Sequence, residues 1–183
     1  MYVNLASAGT RFWRYTGLLA PAQAGVAGWT LGLLTSAAFS WYATKLPSVR
    51  HNLLRPSFLK GLAILVAFVA GLCEEAIFRK LLMDALQHRG FHAPVQILAS
   101  AIAFGAAHAV WGLFRGSFSA ATAAMIATGT LGLLLATTYV FSNRVLAPCV
   151  VSHFLINLLI EPGLVLAAVK GEMGTGNLSS APH

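Results

Sequence analysis

Long apolar runs, separated by short polar breaks rich in Gly and Pro, set the organisation of the chain. Arg11 and Arg14 precede the first run, which extends from about Gly17 to Ala43 and exceeds the roughly 20 residues that a membrane helix requires. A basic stretch before an apolar run resembles a signal peptide. This run is too long for one and lacks a clear cleavage site, so an uncleaved helix is expected. Gly28 and Gly32 stand at small-xxx-small spacing, a weak signal of a helix-packing notch. Lys45 to Pro56, with Pro47, Arg50, His51 and Arg55, reads as a loop. A second helix is expected from about Ser57 past Arg79 toward Leu86, its last part amphipathic and interfacial, with Gly90 as the stop. Further helices are expected over His92 to Leu113, Ser117 to Phe141 and Leu146 to Val169. The tail after Gly171 is expected to be disordered, and its Asn177-Leu-Ser glycosylation triplet reads as a chance match.

Composition turns these runs into a membrane protein. The 183 residues are 57% hydrophobic and 9% charged, with a mean hydropathy of +0.74. A soluble domain carries roughly 25% charged residues, and one core of this size cannot hide so much apolar surface, so lipid must solvate part of it. The expected fold is all-α: a multi-pass transmembrane helical bundle of about five membrane helices, integral to the membrane (the plasma or inner membrane in a prokaryote) and without a soluble appendage. Residues 1–56 would form an N-terminal segment with the first crossing, 57–170 the membrane core, and 171–183 the tail.

The net charge of +7, from 12 Lys plus Arg against five acids, changes less than it first promises. Basic residues stand where apolar segments end, the place for headgroup contact and snorkelling, so membrane lipid is the expected partner. No basic stretch is interleaved with aromatics for base stacking, and nucleic acid is excluded. Five crossings divide the basic residues evenly between the two sides, so the positive-inside rule assigns no orientation. Cys73 and Cys149 lie in apolar segments without a zinc-finger spacing and read as packing residues.

An ionisable residue inside a membrane helix costs about 2.5–3.5 kcal/mol on insertion scales and calls for a partner or a function. Three places carry such residues. In Cys73-Glu74-Glu75-Ala76-Ile77-Phe78-Arg79, Glu75 and Arg79 are four apart and can pair on one face, whereas Glu74 is rotated about 100° away. An interfacial salt bridge explains Glu75 and Arg79 but leaves Glu74 without a cation. In Phe104-Gly-Ala-Ala-His108, small residues let another helix approach beside the imidazole. In His153-Phe-Leu-Ile-Asn157, imidazole and carboxamide share a face one turn apart. Each polar group taken alone is also compatible with gluing helices together. Jointly they supply what amide hydrolysis needs. A carboxylate in low dielectric suits general-base work, a histidine positions water, and an Asn amide with a second His can donate to an oxyanion.

Glu-Glu-x-x-x-Arg, Phe-x-x-x-His and His-x-x-x-Asn, in that order on successive apolar segments, resemble the CAAX protease and bacteriocin-processing (CPBP, or Abi) family, which includes the Ras-converting CAAX endopeptidases. The resemblance covers about Ser57 to Pro162. It implies an intramembrane endopeptidase in which Glu74 is the general base assisted by His108, His153 and Asn157 form the oxyanion hole, Glu75 and Arg79 support the site, and Phe104 packs. Lys80 departs from the glycine that often follows the arginine in this family. The favoured mechanism requires no cofactor; the alternative is zinc on Glu74, His108 and His153. The expected substrate is a membrane-anchored protein or peptide, lipidated or with a hydrophobic C-terminal or leader segment. The rival functions are a non-catalytic immunity or scaffold protein and a proton- or metal-coupled transporter.

Overall fold

The computed structural model describes residues 5–45, 50, 58–114 and 118–169. Helix α1 spans Leu5–Thr16 and ends at Gly17, whose φ of +74° turns the chain. A 3-10 turn over Pro21–Ala24 and Gly25 at φ +68° lead into α2, Gly25–Ala43. The expected single helix from Gly17 is thereby corrected: a left-handed glycine, a proline and a second left-handed glycine interrupt it. Helix α3 covers Phe58–Glu75, a π-helical segment Ala76–Leu81, and α4 Leu82–His88. Here one continuous α-helix was expected. Helices α5 (Ala93–Phe114), α6 (Phe118–Phe141) and α7 (Ala147–Val169) lie within a residue of their expected limits. The loop expected from Lys45 to Pro56 and the tail after Gly171 lie outside the described residues, apart from Lys45 and Arg50.

Three stretches among the described residues are long and apolar enough to cross a membrane: Thr10–Ala43, Ala93–Val110 and Ala121–Phe141, with Ala147–Ile160 a shorter apolar helix. Large apolar side chains such as Val26, Leu65, Ile102, Phe118 and Ile126 stand exposed around the bundle, as lipid-facing residues do. Thr16 accepts a hydrogen bond from the Leu146 amide, and Asp84 meets Tyr15 and Arg144, so the ends of α1, α6 and the start of α7 share one end of the bundle. From that end α2, α5 and α7 run away, while α3 and α6 return.

Small residues set the helix spacing. A Cβ on Gly28 would stand 2.7 Å from Ser142 Cα, and one on Gly32 2.7 Å from Ser152 Oγ. The Gly28/Gly32 notch therefore exists, and Ser142 just after α6 and Pro148 and Ser152 of α7 fill it. Helices α5 and α6 are antiparallel, with Gly105 against the Met125 carbonyl and Gly129, and Gly132 against Ala101 and Phe104. Buried hydroxyls of Ser36, Thr138, Ser142 and Ser152 donate to the carbonyl four residues back, and Ser36 also lies 3.3 Å from the Ser152 carbonyl on α7. Cys149 is buried and its thiol donates to the Leu135 carbonyl, whereas Cys73 is exposed and does not pack inside.

The largest departure lies at Lys80 and Asp84, expected on an interfacial amphipathic surface. Both are buried. Lys80 Nζ lies 3.2 Å from Asp84 Oδ2 and donates to the Arg144 carbonyl. Asp84 Oδ1 also accepts from Tyr139 at 3.0 Å and from Arg144, and Oδ2 accepts from Tyr15 at 3.4 Å. Arg144 donates as well to Gln96. Asn143 and Arg144 have φ of 52° and 61°. Asn tolerates this region, but Arg seldom adopts it, and the bonds to Asp84 and Gln96 hold it there. Five segments are thus tied around one carboxylate.

Candidate active site

Glu74 and Glu75 close α3 in front of the π-helical turn, and their surroundings differ sharply. Glu75 is fully buried and lies 3.1 Å from Arg79 Nε, itself fully buried. The two charges are close but poorly aligned: Glu75 Oε2 and Arg79 Nε and Nη1 make no well-formed hydrogen bond. The attraction is therefore ionic in the main, with further support for the guanidinium from the Gly132 carbonyl at 3.4 Å and the Phe104 ring at 4.5 Å. Glu74 keeps about 29% of its side chain exposed. The pairing inferred from spacing is present, and Glu74 does point elsewhere.

Winding the segment after Glu75 as a π-helix changes which backbone groups pair, since each amide reaches five residues back, as Leu82 does to Ile77. Ser100, fully buried on α5, donates to the Phe78 carbonyl inside this segment at 2.9 Å. The turn also buries two consecutive cations in opposite clusters: Arg79 toward Glu75, and Lys80 toward Asp84.

Two imidazoles face Glu74. His153 Nε2 lies 3.6 Å and His108 Nε2 4.0 Å from Glu74 Oε2. The other nitrogen of each ring is occupied. His153 Nδ1 is 2.8 Å from Glu75 Oε1, and His108 Nδ1 is 2.9 Å from the Phe104 carbonyl. Both partners are acceptors, so both Nδ1 atoms carry the hydrogen. Neutral rings would then present lone pairs at Nε2; a ring that donates from Nε2 must be an imidazolium. The buried His153 stands between two carboxylates, Glu74 and Glu75, while half-buried His108 faces Glu74 alone. Phe104, fully buried, underlies the group with ring centroids 4.5 Å from His108 and 5.7 Å from His153, and Phe78 meets it edge-on.

The structure thus brings Glu74, Glu75, Arg79, His108 and His153 together around Phe104. Asn157 is half-buried one turn beyond His153 on α7, and its carboxamide makes no hydrogen bond among the described residues. Among the described residues no group of three His, Cys, Asp or Glu side chains is arranged to hold a metal ion. The supporting residues Ser100, Gln96, Tyr139, Arg144 and Asp84 were missed from the sequence. Asp84 alone carried a signal, as one of five acids and four residues from Lys80.

No curated protein and no solved structure matches the chain at a significant level. The family model described as type II CAAX prenyl endopeptidase Rce1-like matches residues 56–159, a span that contains the paired glutamates, both histidines and Asn157. With more than half of its length matched in this way, the chain belongs to the Rce1-like type II CAAX prenyl endopeptidase family, a membrane-protein assignment that its apolar helices share.

Proposed function

We propose that this protein is a multi-pass intramembrane endopeptidase that hydrolyses a peptide bond in a membrane-associated protein segment, with a water activated by Glu74. The observation that carries this reading is one partly exposed carboxylate faced by two imidazole Nε2 atoms whose opposite nitrogens are already engaged. Glu74 takes a proton from the attacking water as its oxygen bonds to the scissile carbonyl carbon. His108, with an Nε2 lone pair, orients that water and shares its proton. The carbonyl electron pair moves to oxygen and is held by His153 Nε2–H and the Asn157 amide. The proton then passes to the leaving nitrogen as the carbon–nitrogen bond breaks. Glu75, itself paired with Arg79, orients the His153 ring through Nδ1. No step passes through a metal.

The substrate proposed is a lipidated or hydrophobic C-terminal or leader segment, which reaches the site within the plane of the membrane; the family name points to prenylated tails. Comparison of membrane and secreted protein termini by mass spectrometry, in cells with the wild type or Glu74→Gln, tests it. Termini that disappear with the variant support the protease. Unchanged termini, with the variant fully accumulated in membranes, overturn it in favour of an immunity or scaffold role.

A further inference from the structure

We infer that Lys80 is a positioning residue: it ties the segment that follows Glu74 to the entrance of α7, and so fixes the height of His153 beside Glu74. Two separate elements deliver this pair. Glu74 stands at the end of α3 and His153 on α7, with Glu74 Oε2 and His153 Nε2 3.6 Å apart. Beyond the site α3 and α7 touch through apolar groups. Phe68 meets Phe154 with ring centroids 5.5 Å apart, and a Cβ on Gly71 would stand 3.7 Å from the His153 ring. Such burial draws the helices together but is non-directional, so it holds their relative height only weakly.

Lys80 supplies the directional tie. It lies in the π-helical segment beyond Glu75, and its Nζ donates to the Arg144 carbonyl at 3.2 Å, in the turn that leads into α7. Arg144 has a φ of 61°, and this seldom-used backbone conformation places its carbonyl against the ammonium. Charge pairing alone does not account for the lysine. Asp84 already accepts from Arg144 and from the Tyr139 hydroxyl, so Lys80 is a second cation on one buried carboxylate. A buried ammonium is costly unless its donors are used, and here they go to Asp84 and the Arg144 carbonyl, with the Tyr15 ring 4.7 Å away. Glu75 on His153 Nδ1, at 2.8 Å, makes the second tie. Two polar ties at different heights hold α7 in register with Glu74.

NMR of the full-length protein in detergent, with nitrogen-labelled histidine, reads the position of His153 through the signals that His153→Gln removes. In the wild type its Nδ1 should give the shift of a hydrogen-bearing nitrogen, held by Glu75. Lys80→Met keeps the apolar stem and leaves Asp84 its arginine. It should move that shift toward the value of a lone-pair nitrogen, as the loosened ring divides between tautomers. Lys80→Arg, whose guanidinium can serve both acceptors, should restore the wild-type shift. Lys80→Gln is read in the same way should Lys80→Met not fold. Spectra are taken well below each melting temperature, where a loss of stability alone leaves the tautomer unaltered. An unchanged His153 shift in the uncharged variants, or a change in Lys80→Arg as large as theirs, overturns the inference. The consequence for catalysis rests on the proposed function: kcat of the uncharged variants should fall at least about tenfold at unchanged KM. A displaced ring with kcat unchanged would overturn that consequence. A displaced ring in a protein that cleaves nothing would refute the protease and leave the tie standing.

Discussion

Two adjacent carboxylates differ in their work because they differ in their neighbours. Glu75 neutralises a fully buried guanidinium and orders an imidazole, whereas Glu74 has neither an arginine nor full burial. Glu74→Gln is expected to lower turnover by at least about 10²-fold, with the melting temperature in detergent unchanged. Glu75→Gln should lower both, because it strands Arg79 in the interior at a cost of about 3–5 kcal/mol. A Glu75→Gln protein as stable as the wild type would contradict this division. Metal chelators are expected to leave the activity of purified protein intact, and a loss reversed specifically by zinc would replace the metal-free mechanism. The pairing of Glu75 with Arg79 was legible from a spacing of four. The tautomers of His108 and His153 were not, since they depend on the Phe104 carbonyl and on a carboxylate 78 residues away in sequence.

At the scale of elements, apolar run length located α5, α6 and α7 well because each is a single uninterrupted helix. The π-helical segment was invisible for a physical reason. Ala-Ile-Phe-Arg-Lys-Leu has no residue that disfavours an α-helix, and its winding accompanies contacts made elsewhere: Ser100 on Phe78, Glu75 on Arg79, Asp84 on Lys80. Ser100→Ala leaves a buried carbonyl without its partner and should cost about 1–3 kcal/mol, with a drop in activity as the turn that follows Glu75 loosens. Helix spacing gives a second test. A methyl group on Gly105 would meet the Met125 carbonyl at 2.7 Å, a backbone atom that moves only if α5 and α6 separate. Gly105→Ala should therefore destabilise by about 1–3 kcal/mol, whereas Gly61→Ala, with nothing within 4 Å, should not. Thermal unfolding in detergent distinguishes the two, and equal effects would refute the packing argument.

Across the whole molecule, the Asp84 cluster links α1, α4, α5, α6 and the turn before α7 through partners 48–69 residues apart, apart from Lys80, which is why local patterns did not reveal it. Asp84→Asn should lower the melting temperature, with a loss approaching the roughly 3–5 kcal/mol of a broken buried pair. An unchanged melting temperature would show that the cluster does not carry the assembly.

The arrangement of charge along one stretch of chain also bears on how the protein enters the bilayer. Glu75 with Arg79 and Lys80 with Asp84 are couples four residues apart on the same continuous rod. Each can be neutralised as the helix forms, before any other helix is present, so the translocon meets a segment with far fewer bare charges than its composition indicates. A charged residue alone costs about 2.5–3.5 kcal/mol at mid-membrane. In an insertion assay of residues 57–90, a double-mutant cycle on Glu75 and Arg79 should therefore show coupling, the two charges together costing less than the sum of each alone. Strict additivity would mean that the couple forms only after assembly. Coupling would give the buried pair a role in biogenesis that precedes its service to His153.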